Sequence, residues 1–317
     1  MKRRVLRLVV ITFAGAVALA STGAVYESVA SARDRRDPPG RIVDIGGRRL
    51  HVLCIGSGSP PVVFEPSGRG RSVSLEAART SIARHTRVCS YDRAGTGWSD
   101  DGPAALSVGG LADDLRRLLE VTPIETPVVI VASSMGGAVA EMYARRFPER
   151  VAGLVLLDAA NSQGLTLLNA AVDRRTRLEL ETACFGIRVA RPIGVVRLLD
   201  SRPRTLTMLC AAVRGVPETL AQFESAPPLR ADVPLAVLSA DSTDGMLPVG
   251  RLVPASLLQS ASVQRVVRNW RETHRRLAAQ STRGSWRLVS GSGHVIAEDR
   301  PDVVAEAVVG VLRQLRQ

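Results

Sequence analysis

The sequence has few aromatic residues and lacks the patterns that mark zinc sites and nucleic-acid-binding modules. Phe, Trp and Tyr make up 3% of the 317 residues, although 45% of the residues are hydrophobic. The formal net charge is +12, but this charge is not accompanied by basic residues interleaved with aromatic ones. The composition therefore argues against a nucleic-acid partner. It predicts an arginine-rich surface that favours anionic membranes or cell-wall polymers.

No internal repeat divides the chain, and its length suits one α/β domain with insertions. From about residue 40, runs of β-forming residues alternate with helical patterns. This alternation predicts a mostly parallel sheet with helices on both faces, preceded by an antiparallel hairpin. The alternation stops over residues 161–230, which are rich in helix-forming residues and interrupted by prolines. We expect this segment to be a helical cap insertion.

The N-terminal segment differs in composition from the rest of the chain. A cluster of basic residues precedes residues 8–26, which carry no charge. This run approaches the length of about 20 residues that crosses a membrane. Small-residue sites ending at Ala20 and Ala32 would suit a signal peptidase. We expect residues 1–37 to be a cleaved signal peptide or a membrane anchor with its linker, and residues 40–317 to form an exported domain.

A run of β-forming residues ends abruptly at small residues around Ser134. Residues 128–131 predict a buried strand, and residues 138–144 predict a helix. A tight turn between such elements lifts the serine hydroxyl above the sheet and directs the N-terminus of the helix towards it. We interpret Ser134 as a nucleophile. The alternative is an ordinary strand-to-helix turn that contains a serine.

A serine nucleophile needs a base, and the base needs an acid that orients it. His51, His85 and His274 lie in strand-like or charged helical sequence, and we interpret them as structural or solvated. His294 follows a strand-like run and lies in a glycine-rich turn late in the chain. We therefore predict that His294 is the base.

Three aspartates are candidates for the acid. Asp241 and Asp244 follow the strand predicted over residues 235–240, and Asp158 ends an earlier predicted strand. We rank Asp241 first, Asp244 second and Asp158 third. Each has an alternative role in a turn or at a helix cap, which aspartate also favours.

Together these features resemble the α/β-hydrolase fold superfamily, in its esterase, lipase and peptidase-like branch. The resemblance covers the chain from about residue 40 onwards. The resemblance rests on three sequence motifs: YDRAGTGWSD at residues 91–100, SMGG at residues 134–137, and Gly293 with His294. It implies a mostly parallel eight-stranded α/β-hydrolase sheet with helices on both faces and a helical cap insertion. It also implies catalysis by Ser134, His294 and Asp241, without a cofactor or a metal.

The same resemblance implies where the oxyanion donors lie. One is the backbone N–H of Met135, directly after the nucleophile. The other comes from the loop after the third strand, where Pro66 has no N–H. Ser67 or Gly68 must then supply it. Glu65 in this loop would oppose a developing negative charge unless it is paired.

Four cysteines in an exported chain permit two disulfides. In the α/β-hydrolase sheet the second strand lies beside the fourth, which implies a bridge between Cys54 and Cys89. Cys184 and Cys210 are then left for the insertion. The alternative is buried free thiols. None of the four cysteines has the setting of a nucleophile, which argues against a cysteine hydrolase.

The sequence thus predicts a serine hydrolase that cleaves an ester or similar acyl bond of a small molecule through an acyl-enzyme. The first alternative is an amide or iminopeptide hydrolase on the same scaffold. The second is an exported binding protein that kept the fold without the chemistry. Membrane association through the N-terminal segment is expected, and the sequence carries no indication of an oligomeric state.

Overall fold

An eight-stranded sheet forms the centre of the protein in a computed structural model, which describes residues 2–68, 75–125, 127–199, 203–242 and 261–317. The strands are β1 (Arg41–Asp44), β2 (Arg49–Ile55), β3 (Val62–Glu65), β4 (Val88–Tyr91), β5 (Val128–Ser133), β6 (Val151–Leu157), β7 (Leu235–Ala240) and β8 (Gly284–Val289). Their order is β1-β2-β4-β3-β5-β6-β7-β8. The pairs β1–β2 and β2–β4 are antiparallel and all the others are parallel. The predicted sheet is confirmed.

The described residues also form α-helices, several of which pack on the two faces of this sheet. They are α1 (Lys2–Asp34), α2 (Glu76–Ile82), α3 (Val108–Val121), α4 (Met135–Arg146), α5 (Ser162–Ala171), α6 (Arg174–Ala190), α7 (Val195–Leu199), α8 (Pro203–Arg214), α9 (Val216–Ser225), α10 (Ala261–Ala278), α11 (Ile296–Asp299) and α12 (Pro301–Gln314). Leu115 of α3 and Val139 of α4 pack into the core on one face. Ile82 of α2 and Val308 of α12 pack into the core on the other. The central strands are buried on both faces, which explains their nearly continuous hydrophobic sequences.

Five helices, α5 to α9, lie between β6 and β7, and we call them the β6–β7 insertion (Ser162–Ser225). A disulfide between Cys184 and Cys210 joins α6 to α8 within it. A second disulfide joins Cys54 to Cys89, which lie opposite each other on β2 and β4. Both predicted pairings are confirmed.

Helix α1 is long and apolar. Within Val9–Asp34 an 18-residue window has a mean hydropathy of 1.8, and the helix is long and apolar enough to cross a membrane. Its apolar part is not buried against the rest of the protein. Near its end, however, Glu27 is only 6% exposed because it contacts the β6–β7 insertion.

Candidate active site

Ser134 lies at the turn between β5 and α4 in a backbone conformation that non-glycine residues rarely adopt, with φ 52° and ψ −127°. Such strain persists only where the surroundings hold it. The Ser134 N–H donates to Leu157 O, and the Ser134 carbonyl accepts from the Ala160 N–H at 2.8 Å. The neighbouring helix turn needs glycine, since a Cβ at Gly136 would lie 2.6 Å from Pro66 O. The turn therefore has the geometry that the sequence predicts for a nucleophile elbow.

His294 reaches this serine from the loop after β8. Its Nε2 lies 2.9 Å from Ser134 Oγ, and its Nδ1 lies 2.6 Å from Asp158 Oδ2. An ionised carboxylate only accepts hydrogen bonds, so Nδ1 carries the proton and Nε2 is left to accept from the serine hydroxyl. His294 and Asp158 are both buried, at 7% and 4% exposure. Ser134, His294 and Asp158 thus form a continuous chain of hydrogen bonds.

The acid in contact with His294 is the candidate ranked third from sequence. Asp158 follows the end of β6 with φ 40°, a conformation that turns its side chain out of the strand direction. Its Oδ1 accepts from the Ala240 N–H at 3.2 Å, and its own N–H donates to Leu238 O at 2.7 Å. Backbone groups of β7 therefore hold Asp158 in place beside the histidine.

Asp241, ranked first, occupies a different position. Its exposed carboxylate accepts from the Gly291 N–H at 3.2 Å, and its own N–H donates to Ser292 O at 3.1 Å. Asp241 therefore contacts the turn that leads to His294, and the structure brings Asp158 to the imidazole instead. Asp244, ranked second, lies outside the described residues.

A second buried histidine, His274, lies next to Asp158 and contacts the residue that follows it. The sequence analysis did not identify His274 as part of the site. His274 Nε2 lies 2.8 Å from Ala159 O, and its Nδ1 lies 2.7 Å from Ser239 Oγ. Because a carbonyl only accepts, Nε2 donates to Ala159 and Nδ1 accepts from the serine hydroxyl. Ser239 in turn accepts from Trp286 Nε1. Burial lowers the pKa of His274, so it is held neutral.

The helical spacing of Trp270, Thr273, His274 and Leu277 was the available sequence signal for this histidine. All four lie on the buried side of α10, at the i, i+3, i+4, i+7 positions of one helix face. A histidine on such a face is expected in a core, not in solvent. The sequence interpretation left both possibilities open, and the structure selects the buried one.

The last residue of β3 is a buried carboxylate that is paired. Glu65 is 1% exposed and contacts the Arg93 guanidinium and the Tyr91 hydroxyl. Burial raises the pKa of the Glu65 carboxyl, and the neighbouring guanidinium opposes this rise. Burial also raises the pKa of Tyr91 well above its usual value, so its hydroxyl stays a donor to Glu65. Glu65 is therefore paired, so its negative charge is offset near the proposed oxyanion site.

Arg93 also fixes the direction of the peptide groups that follow Glu65. It donates to Pro66 O at 2.6 Å and to Ser67 O at 3.3 Å. In a trans peptide the N–H points opposite to the C=O. The N–H groups of Ser67 and Gly68 are therefore directed away from Arg93. Gly68 lies next to the start of α4, since a Cβ there would be 4.0 Å from Met135 Cβ.

Comparisons with known proteins agree with this architecture. Residues 60–179 match the family model described as alpha/beta hydrolase fold. The structure therefore has the α/β-hydrolase fold. A thermophilic esterase from Thermogutta terrifontis has a similar structure, with a TM-score of 0.58 and 21% sequence identity over 90% of this chain and 98% of the esterase.

Two curated proteins show the extent of the sequence likeness. An uncharacterised protein of Schizosaccharomyces pombe is 25% identical over 70% of this chain and 41% of its own length. The 2-hydroxy-6-oxo-2,4-heptadienoate hydrolase of Pseudomonas putida is 32% identical over 38% of this chain and 44% of its own length. The chain spans about two fifths of the length of these relatives. The chain thus has the α/β-hydrolase fold and hydrolases among the proteins it resembles.

Proposed function

We propose that the protein is a cofactor-independent serine hydrolase that cleaves an ester or similar acyl bond. The observation that carries this proposal is the continuous chain of contacts from Ser134 Oγ through His294 to Asp158. Each contact has the donor and acceptor roles that acyl transfer requires, and each lies within hydrogen-bond reach before a substrate binds.

In the proposed reaction, Ser134 Oγ attacks the substrate carbonyl while His294 Nε2 takes the hydroxyl proton. The tetrahedral oxyanion is stabilised by the N–H groups of Met135 and Gly68, with Ser67 N–H as the alternative second donor. His294 then gives its proton to the leaving alcohol, and an acyl-enzyme remains. Water attacks the acyl-enzyme with His294 again as the base, which releases the acid and restores the serine. Asp158 stabilises the imidazolium at both steps.

We also propose that the β6–β7 insertion is a cap over this site. It follows β6, whose end carries Asp158, and precedes β7, whose end holds Asp158 by a backbone hydrogen bond. In α8, Leu209 approaches the loop that carries the second oxyanion donor: a Cβ at Gly68 would lie 3.1 Å from Leu209 Cδ2. A side chain at this place is suited to shape the acyl pocket.

The location we propose is outside the cytoplasmic membrane. Two disulfides indicate an oxidising compartment, and the exposed apolar surface of α1 suits a lipid environment. The basic residues that precede the apolar run are typical of the cytoplasmic flank of an exported chain.

Replacement of Ser134 tests the proposed function directly. The Ser134→Ala enzyme is expected to lose both p-nitrophenyl ester turnover and covalent labelling by a fluorophosphonate, because no other hydroxyl contacts His294 Nε2 among the described residues. Ser133→Ala is the matched control, since Ser133 belongs to β5 and should leave the label in place. Peptide mapping identifies the labelled residue. Persistent labelling of the Ser134→Ala protein would refute the assignment.

A further inference from the structure

Arg197 of the β6–β7 insertion forms hydrogen bonds to two residues near the end of α1. Arg197 of α7 donates to both oxygens of Glu27, at 2.7 and 3.0 Å, and to Asp34 Oδ2 at 2.8 Å. The Arg197 side chain is 11% exposed and that of Glu27 is 8% exposed. Paired, two-pronged contacts of this kind fix orientation as well as distance. The last two turns of α1 and helix α7 therefore hold a defined position relative to each other.

A backbone contact one turn earlier in α1 reinforces this junction. A Cβ at Gly23 would lie 2.1 Å from Ile193 O, and a Cβ at Gly194 would lie 2.9 Å from Gly23 O. Only glycine permits so close an approach of the helix to the turn before α7. Cleavage after Ala32 would remove Gly23 and Glu27 together, so these contacts favour retention of α1 as an anchor.

The position of Gly23 along α1 determines where the β6–β7 insertion lies relative to a membrane that α1 crosses. The charge-free run of residues 8–26 contains 19 residues, which at the helical rise extend about 28 Å. This length matches a hydrocarbon core of about 30 Å. Gly23 is three residues from the end of the run, about 5 Å along the axis. The turn at Ile193 and Gly194 must then lie at the surface of the bilayer that α1 spans.

Helices α6 and α7 present exposed apolar side chains on either side of this turn. Outside α1, nine of the eleven exposed large hydrophobic side chains of the described residues belong to the β6–β7 insertion. We define the apolar patch as five of these, which lie close to the turn in sequence: Leu178, Phe185, Val189, Val195 and Leu198, with exposures of 64%, 67%, 57%, 42% and 80%. Isolated exposed hydrophobic residues need no explanation, but such a concentration marks an interaction surface.

The arrangement of residues on α6 indicates which surface this is. Leu178, Phe185 and Val189 fall on one face of the helix, at i, i+7 and i+11. Arg174 and Arg188 are exposed on the same helix, together with Glu179 and Glu181. Apolar side chains accompanied by arginines are typical of helices that lie in the interface of a membrane with anionic headgroups. The Gly23 contact places the turn between α6 and α7 against α1.

We propose that the apolar patch docks on the bilayer that α1 spans, with Phe185 and Leu198 among the lipid headgroups and upper acyl chains. The proposed cap would then lie between the bilayer and Ser134. Acyl esters held in the same membrane would be the substrate class, a consequence that rests on the proposed function.

The docking is tested by fluorescence quenching of tryptophans introduced into the full-length protein in phosphatidylcholine–phosphatidylglycerol vesicles. Phe185→Trp and Leu198→Trp each add fluorescence to that of the wild type. We expect lipids brominated at C6 and C7 to quench at least half of this added fluorescence. Val121→Trp is the matched control: Val121 is 51% exposed at the far end of α3 and should not be quenched. The intact mass of the vesicle-bound protein verifies that α1 is retained.

Two results would overturn the docking. One is the absence of quenching at both positions, and the other is quenching at Val121 equal to that at Phe185. If quenching is absent and Phe185→Asp lowers the molecular mass in detergent, a second copy of the chain covers the patch instead. Quenching does not depend on catalysis, so a failure of Ser134 labelling leaves this test intact.

The substrate consequence has a separate readout. The double variant Phe185→Asp/Leu198→Asp is expected to hydrolyse a long-chain ester in vesicles at least tenfold more slowly, with unchanged kcat/KM for soluble p-nitrophenyl acetate. Val121→Asp should change neither rate. Equal rates of the double variant and the wild type on vesicle esters would contradict delivery of substrate from the bilayer.

Discussion

Asp158 and Asp241 follow neighbouring strands at the same edge of the sheet, and their contacts assign them different roles. Asp158→Asn is expected to lower kcat by about 10⁴, because the histidine loses the carboxylate that holds its tautomer. Asp241→Asn should stay within about tenfold of wild type, since its carboxylate contacts only a backbone N–H in the turn before His294 among the described residues. Single-turnover kinetics of both variants on p-nitrophenyl acetate measures the difference. A severe defect in Asp241→Asn with near-normal Asp158→Asn would reverse the assignment.

His274 makes the stability of the protein depend on pH. Burial lowers its pKa in the folded state, so the unfolded chain, with an ordinary histidine pKa of about 6.5, binds more protons as pH falls. Its contribution to stability is therefore present above about pH 6.5 and decreases below it, by at most about 1.4 kcal/mol per pH unit. Thermal unfolding at pH 7 and pH 5 should show a smaller pH dependence for His274→Gln than for wild type.

The control for this measurement is His85→Gln, because His85 is exposed and its replacement should leave the pH dependence unchanged. His274→Gln should also be less stable at pH 7, by about 1–3 kcal/mol for the disrupted buried hydrogen bonds. If His274→Gln retains the full pH dependence of the wild type, the buried histidine is not its source.

Within the insertion, α8 approaches the proposed oxyanion donor Gly68 through Leu209. Leu209→Ala enlarges the space beside Gly68, so we expect a shift of acyl preference towards longer chains. Burial of each additional methylene stabilises by about 0.8 kcal/mol, which corresponds to about fourfold in kcat/KM. Leu209→Trp should shift the preference towards shorter chains. A series of p-nitrophenyl esters from acetate to decanoate measures the profile.

Val121→Ala on α3 is the control for this series, because it removes an exposed side chain far from the insertion's contacts with the N-terminus of α3. Its chain-length profile should equal that of the wild type. Identical profiles for both Leu209 variants and the wild type would place the acyl pocket elsewhere.

For the whole molecule, much of the architecture could be predicted from sequence because it follows from local patterns. The leucines of α3 recur at helical spacing, so this helix can be predicted from the sequence. The turn at Ser134 could be recognised because a strand, small residues and a helix follow each other without interruption. The pairing of Cys54 with Cys89 followed once the resemblance had set the order of the strands.

The acid and its support could not be predicted in the same way, because they depend on contacts between distant parts of the chain. Asp158 and His294 are 136 residues apart, and His274 contacts Ala159 across 115 residues. Both Asp158 and Asp241 satisfy the local rule of an aspartate after a buried strand. What separates them is the backbone conformation at Asp158, with φ 40°, and the sequence pattern carries no information on that angle.

The two disulfides are expected to stabilise different parts of the molecule. Cys54 and Cys89 close a loop across 35 residues and join β2 to β4 within the sheet, which corresponds to about 4 kcal/mol by loop-closure entropy. Cys54→Ala/Cys89→Ala should therefore lower the Tm of the whole protein in calorimetry. Cys184→Ala/Cys210→Ala, matched in chemistry but confined to the insertion, should instead increase proteolytic cleavage within α6 to α8 and leave the transition of the sheet nearly unchanged. Equal losses of Tm in both double variants would show that the insertion and the sheet unfold as one unit.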